Sequence, residues 1–143
     1  MRRPEVTPAF QLFGPGHLAA LASVAAVAVF AAWLVRRHPA YGPAIRFVFA
    51  GVLVVNALGT LAFKLREGFH PPEGLPLHLS DAVVFLVIIA LLSRRQWCLE
   101  LAYYWGLGGG FFALLTPDLE HPLPSWPAVQ FFVSHGVVIV AVV

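Results

Sequence analysis

The chain is 143 residues long, with 59% hydrophobic and only 11% charged residues, and its formal net charge is +2. An ordinary soluble domain carries about 25% charged side chains, and a fold this small needs polar residues to cover its surface. Composition therefore argues against a water-soluble domain and for lipid as the solvent, in line with a mean hydropathy of +0.81.

The basic residues fall mostly in pairs between apolar runs: Arg2 and Arg3, Arg36 and Arg37, Lys64 and Arg66, Arg94 and Arg95. That is the pattern of loop charge at a membrane surface. A nucleic-acid patch would need them on one face of a folded domain, so no nucleic-acid partner is expected. The single cysteine, Cys98, permits neither an internal disulfide nor a cysteine-based zinc site. The first apolar run lacks a small-residue cleavage site ahead of a mature soluble domain and reads as a retained helix, not a signal peptide.

A spanning helix needs ~20 mostly apolar residues, and five runs qualify in chain order. The first covers 17–35, after the turn signal Phe13-Gly14-Pro15-Gly16, and stops at Arg36-Arg37-His38-Pro39. The second covers 44–63, interrupted only by Arg46, Asn56 and Thr60. Pro71 and Pro72 bar a helix in the following loop, and the third run covers 75–92, ending at Arg94-Arg95. The fourth covers 97–115 and closes at Thr116-Pro117-Asp118. The fifth covers 127–143 and is still apolar where the chain stops, which reads as a truncated piece of something longer. The expected fold is an all-α polytopic transmembrane helix bundle, a single transmembrane domain over 1–143, placed in the cell membrane as a multi-pass protein with membrane lipids as its partners.

Five spans alternate sides. The loops after spans one and three hold Arg36, Arg37, Arg94 and Arg95 with no acid, and Arg46 lies on the same side. The opposite side holds Arg2, Arg3, Lys64 and Arg66. The basic residues thus favour an outside N-terminus and cytoplasmic Arg-Arg loops. Trp33 and Trp97 fall at the cytoplasmic ends, Trp126 at the other, as interfacial aromatics do.

Ionisable groups inside a span are costly, about 2.5–3.5 kcal/mol at the centre on insertion scales, and usually face a cavity or one another. Span three opens with Leu77-His78-Leu79-Ser80-Asp81, which sets Ser80 and Asp81 about one helical turn inside the boundary. His78 and Asp81, three apart, share a face. His135 lies roughly two turns down span five, too deep to snorkel readily. Parallel odd-numbered spans would bring His17, His78, Asp81, Ser80 and His135 into one half of the membrane. His17 reads as an interfacial side chain, Ser80 is equally suited to cap a helix N-terminus, and Arg46 reads as a snorkelling boundary residue. Glu100 reads as a structural residue that reaches water or pairs with Arg94 or Arg95, and Gly106, Gly108, Gly109 and Gly110 as sites of close helix packing.

Four motifs occur in order: Leu75-Pro76-Leu77-His78-Leu79-Ser80-Asp81, Glu100-Leu101-Ala102-Tyr103-Tyr104-Trp105-Gly106-Leu107, Leu115-Thr116-Pro117-Asp118-Leu119 and Phe131-Phe132-Val133-Ser134-His135-Gly136. Together they resemble the YwaF-like family of bacterial integral membrane proteins, related to the eukaryotic transmembrane protein 164 family. The resemblance covers most of the chain from span one onward. It implies a bundle with more spans than are visible here, and an acyltransferase that moves fatty acyl chains onto ether phospholipids. The proposed catalytic pair of the eukaryotic relatives, a cysteine and a histidine, falls on Ser80 and His135. Serine in place of cysteine needs a base to activate it and removes any thioester intermediate.

The expected function is lipid acyl transfer or hydrolysis, with Ser80 as nucleophile and His135 as acid–base group. Asp81 or Asp118 would orient a histidine, His78 would belong to the catalytic set, and Asp118 and Tyr104 would contact substrate. No cofactor and no resident metal is expected. His17, His78, Asp81 and His135 are competent zinc or manganese ligands, yet no HExxH-type spacing supports them. A carrier or permease component using His135, Asp81 and Glu100 is the alternative, and a non-catalytic membrane scaffold the third reading.

Overall fold

The computed structural model describes residues 10–67 and 79–142. His78, and the first four positions of the expected third span, lie outside the described residues. Helix α1 (Pro15–Arg37) begins with proline in its first turn, where the missing N–H costs nothing. It ends with Arg36 and Arg37 in the last turn, where cations complement the helix dipole. After a short 3₁₀ turn (Pro39–Tyr41), α2 runs over Gly42–Glu67. Helix α3 (Leu79–Ser93) turns directly into α4 (Gln96–Trp105) through Arg94, whose φ of 57° is left-handed. A π-helix (Gly106–Gly110) and α5 (Phe111–Leu115) continue the α4 rod, and α6 covers Trp126–Val142. All regular structure among the described residues is helical.

Among the described residues, three segments are long and apolar enough to cross a membrane: Pro15–Arg37, Pro39–Arg66 and Gln96–Leu115. Two shorter apolar helices, α3 and α6, accompany them. The outer surface is apolar, with Val29 and Val55 each 70% exposed and Phe112 67% exposed. Water would penalise such a surface and hydrocarbon does not. The chain is an all-α membrane bundle.

Helix α6 is the hub, packing against α1, α2, α3 and the α4–π–α5 rod. The buried core is built of Ala50 and Leu53 of α2, Val83, Val87 and Leu91 of α3, Ala102 of α4 and Val138 of α6. Small residues let backbones approach, as in membrane bundles generally. A Cβ on Gly59 would stand 2.8 Å from Trp126 Cζ2, and one on Gly136 2.7 Å from Val24 Cγ2.

Polar groups tie the helices where no water competes. Asn56 donates to the Gln130 carbonyl at 3.2 Å, and the Thr60 hydroxyl is 3.0 Å from Gln130 Oε1. These residues, which read in the sequence as interruptions of span two, are the clamp between α2 and α6. Arg46 donates from Nε to the Leu91 carbonyl at 3.0 Å, joining the start of α2 to the end of α3. It is a fastener more than a snorkelling side chain. Glu100 is exposed and accepts from Gln96 Nε2 at 3.2 Å, within its own helix.

Candidate functional site

The contacts at both ends of the bundle fix helix direction. The first turns of α1 meet the end of α5 and the start of α6, through His17, Leu114 and Phe132. The start of α2 meets the end of α3 through Arg46 and Leu91. So α1, α3 and α6 run one way, and α2 and the α4–π–α5 rod run the other.

His17 is only 1% exposed. Its Nδ1 accepts the Phe13 N–H at 2.9 Å and its Nε2 donates to the Leu114 carbonyl at 2.8 Å. The ring also packs among Phe10, Phe13 and Phe132. Both nitrogens are therefore committed, Nδ1 to the turn that leads into α1 and Nε2 to the distant end of α5. His17 is a buried structural bridge, not the interfacial side chain its position near a boundary suggests.

Ser80 and His135 line one cleft of about 170 Å³. Val83, Val84, Trp105 and Val138 supply its apolar wall, and Gly106, Gly109 and Gly110 of the π-helix a wall of bare backbone. A π segment is uncommon and often accompanies a functional site. Here it turns Gly106 and Gly110 inward, buried against α6, where a Cβ on Gly106 would lie 2.9 Å from Val138 Cγ1 and 3.8 Å from Val83 Cγ1. Val83 and Val138 are thus level with each other. Ser80 and His135 lie three residues earlier on their parallel helices, so they too share a level. His135 is nine residues along α6 from Trp126, or ~13 Å.

His135 Nδ1 is 2.9 Å from the Phe131 carbonyl oxygen, one turn back on α6. A carbonyl only accepts, so Nδ1 carries the proton and Nε2 is the basic nitrogen of the neutral ring. The Phe131 ring lies against the imidazole with centroids 4.2 Å apart. The group that orients His135 through Nδ1 is thus a backbone carbonyl, the role the sequence had suggested for Asp81 or Asp118. Asp81 is half-buried and interacts electrostatically with His135.

Asp118 lies exposed in the segment between α5 and α6 and does not line the cleft. Tyr104 is 71% exposed, edge-on to Tyr103 at 5.5 Å, and its neighbour Trp105 takes the place on the cleft wall. Among the described residues no group of three or more His, Cys, Asp or Glu side chains converges in a way that could hold a metal ion. The wall residues for which the sequence suggested no functional role include Trp105, Ser134 and Ala113. Ser134 lay beside His135 in the motif, and only its position on the helix face reveals that it joins the site.

Neither a curated protein nor a solved structure matches the chain. The model of the TMEM164 family matches residues 12–143, nearly the whole sequence, and the chain belongs to that family.

Proposed function

We propose that this integral membrane protein is a lipid acyltransferase or acyl hydrolase working through Ser80 and His135. The observation that carries the reading is the shared cleft: Ser80 and His135, from two helices, border one recess whose remaining wall is apolar side chains and glycine backbone apart from Ser134. Such a recess suits an acyl chain, with a nucleophile and a base at hand.

In the proposed step Ser80 Oγ attacks the carbonyl carbon of a lipid acyl ester, and its proton passes to His135 Nε2. The ester C–O bond breaks, and the departing lipid oxygen takes that proton. The acyl group is then carried as an ester on Ser80. A second alcohol, or water in hydrolysis, gives its proton to Nε2 and attacks that ester; the bond from the acyl carbon to Ser80 Oγ breaks, and Oγ takes the proton back from Nε2. Nδ1–H stays on the Phe131 carbonyl throughout and holds the ring in one tautomer. Ser80 is the second described residue of α3, and the positive end of that helix would favour the developing oxyanion.

The test is phospholipid acyl exchange by the purified protein in liposomes, with Ser80→Ala and His135→Gln beside the wild type. Each variant is expected to lower turnover about 10²-fold or more. Wild-type rates in both variants would end the mechanism.

A further inference from the structure

Helix α1 stands partly apart from the bundle, with α6 as its main helix partner. Along its flank lie two recesses, about 330 and 360 Å³. The first is bordered on α1 by residues from Ala28 to Arg36, the second by residues from Ala20 to Val27, and Val140 of α6 borders both. They therefore follow one another along a single groove between α1 and α2/α6. From Ala20 to Arg36 is sixteen residues of helix, ~24 Å, which exceeds the ~15 Å hydrocarbon depth of one leaflet.

The groove differs sharply at its two ends. The stretch from Ala20 to Val27 has no polar lining surface. At the other end Arg36 and Arg46 form part of the wall. Arg46 spends one donor, Nε, on the Leu91 carbonyl, and a guanidinium has five N–H donors in all. Arg37, Arg94 and Arg95 belong to the same end of the bundle, and Glu100, the acid there, is engaged by Gln96. This end is opposite the Ser80/His135 cleft, because α1, α3 and α6 are parallel.

We propose that the groove binds a phospholipid of net negative charge lengthwise. Arg36 and Arg46 hold its phosphate, and one acyl chain lies along α1 and α6. Arginine matches phosphate oxygens in a bidentate fork, the surplus of positive charge favours an anionic head group, and the apolar stretch is long enough for the chain. The lipid at this site is a fixed component that fills the gap between α1 and α2/α6, separate from any acyl donor at the cleft.

The experiment is native mass spectrometry of the detergent-purified protein titrated with phosphatidylglycerol, phosphatidylcholine or inorganic phosphate. Phosphatidylglycerol is expected to bind at least tenfold more tightly than phosphatidylcholine, with inorganic phosphate failing to compete. Arg36→Gln is expected to weaken phosphatidylglycerol several-fold and Arg36→Gln with Arg46→Lys more than tenfold. Ala32→Phe, which fills the groove without touching charge, is expected to weaken both lipids. Arg36 and Ala32 are exposed, so these two variants keep the fold. Equal affinity for the two lipids, or binding indifferent to Arg36→Gln and Ala32→Phe, would overturn the proposal. Competition by phosphate alone would reduce it to a free-anion site, and a dimer abolished by Ala32→Phe would assign the groove to a second copy of this chain.

Discussion

A serine hydroxyl is a poor nucleophile until a base takes its proton, whereas a thiol is partly ionised near neutral pH and depends on a base far less. That difference gives a sharp test of the pairing between Ser80 and His135. In the natural background His135→Gln is expected to cost about 10²–10⁴ in turnover. In a Ser80→Cys background the same substitution is expected to cost much less, and Ser80→Cys itself to keep acyl transfer. Equal losses in both backgrounds would mean that His135 does not serve residue 80. His17 provides the complementary case, a histidine whose value is structural. His17→Ala removes a buried ring and leaves the Leu114 carbonyl and Phe13 N–H without their partner. Stability in detergent is expected to fall by about 2–4 kcal/mol, with His17→Phe recovering part of it through packing. Chemical unfolding followed by tryptophan emission reads both. The sequence placed both histidines in one half of the bundle, but only three-dimensional neighbours separate their roles. Both nitrogens of one are consumed, whereas the other, at the wall of the cleft, commits Nδ1 to a backbone carbonyl.

At the scale of the element, the Gly106–Gly110 segment behaves as two sets of glycines. Gly106 and Gly110 are buried against α6, as the expectation of close packing requires. A Cβ on Gly108 or Gly109 meets nothing within 4 Å, and Gly109, unlike Gly108, borders the Ser80/His135 cleft. A leucine at 109 would project into that recess, while one at 108 would project elsewhere. Gly109→Leu is therefore expected to lower acyl transfer at least tenfold with little loss of stability, and Gly108→Leu to leave it within about twofold. Matching activities in the two variants would remove the cleft from the reaction. Gly136 tests packing alone: its Cβ would fall 2.7 Å from the stiff, branched Val24. Gly136→Val is expected to cost about 1–3 kcal/mol by overpacking the α1–α6 contact, seen as a lowered melting temperature. The run of glycines was visible in the sequence. Its π geometry was not, because a widened turn depends on what α6 and α3 press against it.

For the whole molecule, hydropathy made the five apolar helices legible, since each backbone polar group in lipid must be satisfied within its own segment. The described helices begin and end within a few residues of the apolar runs, and the expected start of span three at residue 75 lies outside the described residues. What hydropathy could not supply was the order of packing around α6, because every face of an apolar helix looks alike to a linear scan. The polar exceptions did supply it: Asn56, Thr60 and Arg46 interrupt an apolar run, His17 opens one, and each ties its helix to another. Direction follows from those ties, with α1, α3 and α6 parallel, and it can be tested without reference to any activity. In a Cys98→Ala background, single cysteines at His38 and Gln96 should share one membrane face, and a cysteine at His121 should lie on the other. All three positions are exposed. A membrane-impermeant maleimide added to intact cells is expected to label His121→Cys alone, with the other two labelled only after permeabilisation, because arginine-rich loops are retained in the cytoplasm. The mirror-image pattern would reverse the orientation and keep the bundle. Labelling of His38→Cys and His121→Cys from the same face would mean that α1 and α6 do not both run across the membrane in parallel. Ser80 and His135 could not then share a recess.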